Sequence, residues 1–261
     1  MDYETIVFSL EDGVARLTLA RPERLNAFNL RMQQELHDAY ERIDAAEVRV
    51  LLVTGAGRAF CSGVDLADRK PLPAGEKHDL GASLEAKNPL IARLHRFPFP
   101  VVCAVNGVAA GMGASLALAC DIVLAARGAS FVLAFTRIGL MPDCGASWFL
   151  ARRAGVARAM AASLLGERID APQAEQWGLV WKCVADEALA AEAEALVARL
   201  AAGPTLAYAR TKQAILAACE RPLDDILALE SAGQRELGRS DDYAEGVQAF
   251  LDKRPARFAG R

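Results

Sequence analysis

Ala104-Val105-Asn106-Gly107-Val108-Ala109-Ala110-Gly111-Met112-Gly113 lies inside the longest uncharged stretch of the chain, Phe97 to Cys120, and the reading of that stretch decides the fold. Taken as one apolar run it is long enough to test as a membrane span, and Gly107-x-x-x-Gly111 has the spacing of a helix-dimer motif. Prolines at 98 and 100, and Asn106-Gly107 in the centre, break that run into an extended segment, Val101 to Val105, a glycine-rich turn, and a helix-like segment, Ser115 to Ala119. A buried strand, a turn and a buried helix account for the pattern better than a span.

The same alternation extends on both sides. Thr5 to Leu10 and Val14 to Leu19 flank Glu11-Asp12-Gly13 as a hairpin would. Asn29 is placed to cap a helix whose apolar face is Met32, Leu36, Tyr40 and Ile43, and Val48 to Thr54 reads as a fully buried strand ending at Gly55. Lys70 to Gly81 is rich in Pro, Gly and charge, as a mobile surface segment over a site would be. Ile122 to Ala126, Phe131 to Leu133 and Leu179 to Val184 have the look of further strands, and Glu187 to Leu251 holds four helices rich in alanine and leucine. The expected architecture is a β/α core followed by a helical C-terminal region.

The 261 residues carry 30 basic and 33 acidic side chains, a net charge of −3, which lacks the basic excess that gripping a phosphate backbone requires. Neither nucleic acid nor membrane is an expected partner. Six scattered cysteines without a Cys-x-x-Cys pair read as reduced thiols, and Met1-Asp2-Tyr3-Glu4 lacks a basic n-region, so the expected compartment is the cytoplasm.

Several chemistries fail on spacing. The histidines at 37, 78 and 95 have no His-Glu-x-x-His arrangement and read as surface residues, so no metal site is expected. Gly113-Ala114-Ser115-Leu116-Ala117 approaches a nucleophile elbow, yet no histidine follows His95 to serve as base. Gly55-x-Gly57 and Gly111-x-Gly113 both lack the third glycine of a dinucleotide fingerprint. What remains is two glycine-rich turns after predicted buried strands, Thr54 to Leu66 and Ala104 to Gly113. Such turns either simply connect strand to helix or aim two backbone N–H donors at one oxygen, as an oxyanion hole demands.

Three ordered motifs carry a family resemblance. Gly57-Arg58-Ala59-Phe60-Cys61-Ser62-Gly63-Val64-Asp65-Leu66, the turn from Ala104 to Gly113 followed by Cys120-Asp121-Ile122, and Arg21-Pro22 with Leu25-Asn26-Ala27 resemble signatures of the crotonase (enoyl-CoA hydratase/isomerase) superfamily, and the match runs from about residue 5 to 258. The resemblance implies an α/β crotonase (ClpP-like) fold, a spiral of ββα units over residues 1–200, with a helical C-terminal trimerisation region over 201–261. It implies that the backbone N–H groups of Val64 and Met112 hold the thioester carbonyl of an acyl-CoA. Arg24, Leu25, Ala27, Ser62, Asp65, Leu66, Gly111 and Pro142 would then lie against CoA or the acyl group. Phe250 and Lys253 would reach the CoA of a neighbouring subunit, or else belong to a solvated terminal helix. The implied assembly is a homotrimer or a dimer of trimers, with no cofactor beyond the CoA of the substrate.

The branch of the family turns on carboxylates. Hydratases of the family use two glutamates, and this chain has Ser115 and Phe135 at the aligned places, neither able to transfer a proton as a carboxylate does. The remaining candidate is Asp143, either an N-cap before a helical run or an acid/base. Phe131 to Gly145 resembles the corresponding loop of the branch that isomerises ring-epoxide phenylacetyl-CoA thioesters, in which the aspartate is the acid/base. The expectation is an acyl-CoA isomerase working through a thioester enolate, on the ring epoxide, a 3-enoyl-CoA, or both. A hydratase with other acids and a silent CoA-binding partner are the competing readings. Phe135 and Trp148 either shape the acyl pocket or pack the core.

Overall fold

A computed structural model describes residues 3–68 and 77–261. The expected hairpin is β1, Ile6–Glu11, against β2, Val14–Leu19. Asn29 caps α1, Leu30–Asp44, its side chain accepting from the Met32 N–H at 2.8 Å, and Met32, Leu36, Tyr40 and Ile43 are all buried.

Then a unit repeats three times. β3, Val50–Gly55, is followed by the short β4, Ala59–Cys61; β5, Val101–Val105, by β6, Val108–Ala110; β7, Ile122–Ala126, by β8, Ser130–Val132. The longer strand of each pair joins one sheet, ordered β1-β2-β3-β5-β7-β10, where β10 is Lys182–Val184. The shorter strand joins a second, ordered β4-β6-β8-β9, where β9 is Arg168–Asp170. Pairing is parallel except between β1 and β2 and between β8 and β9. Parallel strands need crossovers. Here α2, Leu80–Glu85, and α3, Asn88–Arg96, return the chain from β4 to β5, and α4, Met112–Ala119, returns it from β6 to β7. This is the expected spiral of ββα units.

The structure corrects the turn reading in one respect. Each glycine-rich turn contains a three-residue strand, β4 or β6, too short for apolar alternation to reveal. The Lys70–Gly81 expectation falls largely on residues outside those described, although Leu80 and Gly81 already belong to α2.

Helices α5, Ala146–Ala154, α6, Val156–Leu165, and α7, Ala171–Gln176, complete the core, and the four expected C-terminal helices are α8, Leu189–Ala201, α9, Thr205–Ala218, α10, Leu223–Leu237, and α11, Asp241–Leu251. Lys212 on α9 pairs with Asp121 at 2.8 Å, and the Arg49 guanidinium donates to the carbonyls of Gly203 and Phe258, so the C-terminal segment is fastened to the sheet.

Candidate active site

The first turn is built around Asn26. This residue is fully buried and has φ +55°, a left-handed conformation that asparagine tolerates better than most residues. Its side chain accepts from the Arg21 N–H at 2.8 Å and donates to the carbonyls of Ala56 and Ala59 at 2.9 and 2.8 Å. From the other side, the Asn106 amide donates to Gly57 and Ala59 carbonyls at 2.8 and 3.2 Å, and its oxygen accepts from the Gly55 N–H at 3.2 Å. A buried amide, Asn26, and a half-buried one, Asn106, thus clamp one loop. Beyond it, Phe28 N–H donates to the Gly63 carbonyl and Asp65 N–H to the Phe28 carbonyl, each at 2.8 Å, making a parallel bridge between Phe28 and Val64. In that pattern the bonds belong to residues 63 and 65, and the N–H of Val64 points to the opposite side of its strand.

The second turn comes up against the first. Gly63 has φ +95°, and a Cβ placed on it would lie 3.0 Å from the Ala110 carbonyl and 3.8 Å from the Gly111 Cα. The Gly111 N–H is tied to the Val132 carbonyl at 2.9 Å, and α4 begins at Met112, whose N–H belongs to the first helical turn, where no intrahelical acceptor exists. All eight residues of α4 are buried. The helix starts so close to β4 that a Cβ on Gly113 would lie 2.2 Å from the Cys61 carbonyl oxygen.

Asp143 follows a 3-10 turn, Ala134–Ile138. Its carbonyl accepts from the Ser115 hydroxyl at 3.0 Å and from the Ala146 N–H at 2.9 Å. The N-cap of α5 is Gly145, two residues beyond Asp143. Its oxygen Oδ1 is shut off from solvent. The neighbouring Cys144 thiol, hydrogen-bonded to the Asp143 side chain, is pushed up to about 12 by burial and by that carboxylate, so it stays protonated at neutral pH.

Asp143 and Val64 line one cavity of about 1070 Å³, together with Leu140, Pro142 and Trp148. Its described lining includes one further carboxylate, Glu220, which pairs with Arg152 at 3.5 Å. Met112 is buried at 1% exposure, and the Phe135 ring packs 3.6 Å from where a Gly111 Cβ would stand. Ser115 and Phe135 are therefore both occupied, one holding the Asp143 backbone and the other covering Gly111.

The remaining expected residues divide. Arg24 is exposed and Ala27 buried, and the segment bonds to the first turn through Ser62 N–H to the Leu25 carbonyl at 3.0 Å. Asp65 is 3.0 Å from the Arg21 guanidinium with its side chain 9% exposed, so its carboxylate braces the turn. Leu66 is exposed. Phe250, 83% exposed on α11, and Lys253 just beyond it are not among the residues that line the cavity. His95 departs from its surface reading: it is half-buried and lines the cavity, because α3 turns that face inward. The bracing roles of Asn26 and Asn106 were not drawn from the sequence; Asn-Gly at 106–107 was the available signal. Among the described residues no group of three or more His, Cys, Asp or Glu is placed to hold a metal ion, and no helix is long and apolar enough to cross a membrane.

A carboxylate that shares a cavity with the Val64 turn, against which the Met112 turn is packed, suits movement of a proton. The family model for enoyl-CoA hydratase/isomerase matches residues 9–261. The chain is 52% identical over 260 residues to 1,2-epoxyphenylacetyl-CoA isomerase of Escherichia coli (strain K12), covering 99% of both chains. It is 36% identical to 2,3-dehydroadipyl-CoA hydratase of the same organism, over 98% of this chain and 99% of that one. Enoyl-CoA hydratase from Bacillus anthracis superposes with a TM-score of 0.92 at 31% identity, covering 99% of this chain and 100% of that one. The protein belongs to the enoyl-CoA hydratase/isomerase family, with the crotonase fold, and is an isomerase of acyl-CoA thioesters.

Proposed function

We propose that Asp143 is the single acid/base of this isomerase and that the backbone N–H groups of Val64 and Met112 receive the thioester oxygen. The observation that carries the reading is the cavity lining, in which Asp143 stands beside Val64 and the other described carboxylate, Glu220, is committed to Arg152. The carboxylate removes a proton from the carbon next to the thioester, negative charge collects on the carbonyl oxygen, and the same carboxylate returns the proton further along the conjugated system. Loss of one such donor typically raises the barrier by about 3 kcal/mol. Applied to a 3-enoyl-CoA, the step yields the 2-enoyl isomer. Applied to a ring-1,2-epoxide of phenylacetyl-CoA, the bond of the six-membered ring shared with the epoxide breaks. The ring expands to a seven-membered oxepin, and the proton taken from the acetyl carbon is returned to a ring carbon.

Arg24, Leu25, Ala27, Ser62, Leu66, Gly111 and Pro142 are the residues against which CoA and the acyl group would rest, with Asp65 holding the turn they share. No further cofactor is needed for proton transfer. The exposed row Tyr243, Val247, Phe250 and Leu251 on α11, with Leu223 and Leu227 on α10, supports assembly as a homotrimer or dimer of trimers, in which Phe250 and Lys253 would serve a neighbour's CoA. A sedimentation mass of three or six chains is expected; a monomer would overturn it. The free thiols of all six cysteines suit the cytoplasm.

The test pairs wild type with Asp143→Asn on a 3-enoyl-CoA and on crotonyl-CoA, following products by mass spectrometry and proton exchange in deuterated water. Isomerisation and exchange by wild type, both falling about 10²–10⁴-fold in the variant, are expected. Rapid crotonyl-CoA hydration that survives the substitution would overturn the assignment.

A further inference from the structure

The cavity that Asp143 lines has an arrangement that proton transfer does not use. His95 from α3 and Trp148 and Phe149 from α5 all line the cavity. Their rings meet edge to face in a mutual triangle: His95 to Trp148 at 5.3 Å and 73°, His95 to Phe149 at 5.2 Å and 73°, Trp148 to Phe149 at 5.0 Å and 82°. These are the separations and angles at which the negative faces and positive edges of aromatic rings attract.

The triangle is held from outside the cavity. The Arg152 guanidinium lies over the Trp148 ring at 4.0 Å and reaches Glu220, in the turn after α9, at 3.5 Å, tying that face of α5 to the turn. Nδ1 of His95 is 3.2 Å from the Ala119 carbonyl, at the C-terminal end of α4. A carbonyl only accepts, so the proton is assigned to Nδ1. Burial lowers the His95 pKa, and the charges of Lys212 and Arg153 also lower it, against the Ala119 hydrogen bond and Asp121; the net lowering favours the neutral ring. The three rings are therefore in place before any ligand arrives, and all three residues line the cavity.

We propose that His95, Trp148 and Phe149 form a seat that selects acyl groups bearing a planar conjugated ring over saturated groups of the same size. This rests on the acyl-CoA reading of the site. Burial of apolar area alone would rank a saturated six-membered ring at least equal to a phenyl ring, because it has more hydrogens to desolvate and no quadrupole to satisfy. A seat of ring edges and faces reverses that order, so His95 and Trp148 become specificity-determining residues.

The test is calorimetric titration of the full-length protein with phenylacetyl-CoA and with cyclohexylacetyl-CoA, two thioesters with identical CoA that lack a double bond or epoxide to isomerise. Wild type is expected to bind the phenyl compound about three- to tenfold more tightly, the fold-change that one aromatic contact supplies. Trp148→Leu and His95→Leu should bring the ratio to one or below, and His95→Phe, which keeps a ring, should preserve it. Equal or reversed affinities in wild type would overturn the seat while leaving the acyl-CoA reading standing, and failure of both thioesters to bind would overturn both. If circular dichroism shows that the leucine variants do not fold, the wild-type ratio and His95→Phe decide alone.

Discussion

The two glycine-rich turns present their donors by opposite means. Val64 stands on an extended segment held by hydrogen bonds: the bridge to Phe28, the amides of Asn26 and Asn106, and the Arg21–Asp65 pair. Met112 stands at the start of a helix held by fit, with every residue of α4 buried and Gly113 pressed onto the Cys61 backbone. One proposed donor is placed by polar groups and the other by the absence of a side chain. The first turn should therefore answer to deleted hydrogen bonds, and the second to added volume.

The largest effect on this contrast is expected from Gly113→Ala. Alanine favours a helix interior by about 1 kcal/mol over glycine. That gain is outweighed, because the new Cβ would sit 2.2 Å from a backbone oxygen and 2.7 Å from the Cys61 Cβ, neither of which can swing aside. Overpacking of this kind costs about 1–3 kcal/mol, and retreat of α4 carries the Met112 N–H with it. Calorimetry should show Tm lower by about 5 °C, and kcat on a 3-enoyl-CoA should fall about 10²–10³-fold. Wild-type kcat in this variant would separate the position of α4 from catalysis.

Asn26→Ala should act through polarity instead. It strands the Ala56 carbonyl and the Arg21 N–H, while the Ala59 carbonyl keeps its bond from Asn106, at a cost of about 1–3 kcal/mol read from urea denaturation. It should loosen the Val64 turn enough to lower kcat/KM about tenfold, since a misplaced donor stabilises the enolate less well. An unchanged midpoint would mean that Asn106 alone suffices as the clamp. The smallest effect belongs to Val64→Ala. Its proposed contribution to the enolate is through the backbone, so kcat should stay within about twofold and KM rise about threefold for the lost apolar contact. A large fall in kcat would transfer the role from the N–H to the side chain.

The fold was legible where a pattern had length. The strand Val50–Gly55 announces itself as a continuous apolar run, and α1 shows its face through Met32, Leu36, Tyr40 and Ile43 because a helix of that length repeats its period several times. Strands β4 and β6 have three residues each and no period to read, so they were hidden inside the turns that the glycines marked. His95 was misplaced for a related reason: a lone histidine carries no periodic signal, and only the packing of α3 against α4 and α5 turns it inward.

The chain by itself determined the chemistry available: two glycine turns after buried strands, one aspartate after Met141-Pro142, and serine and phenylalanine where carboxylates would be needed for water addition. The turns and the aspartate are matters of residue type and local spacing, and the places of Ser115 and Phe135 are what the family resemblance implies. Tertiary structure alone decided that Val64 and Asp143 line one cavity, that Ser115 holds the Asp143 backbone, and that three rings from two helices meet in the lining of the same cavity. These facts depend on contacts between residues far apart in the chain, set by the stacking of parallel strands and the close approach of α4 to β4. No local pattern records them, because the partner that makes each contact is chosen by the fold.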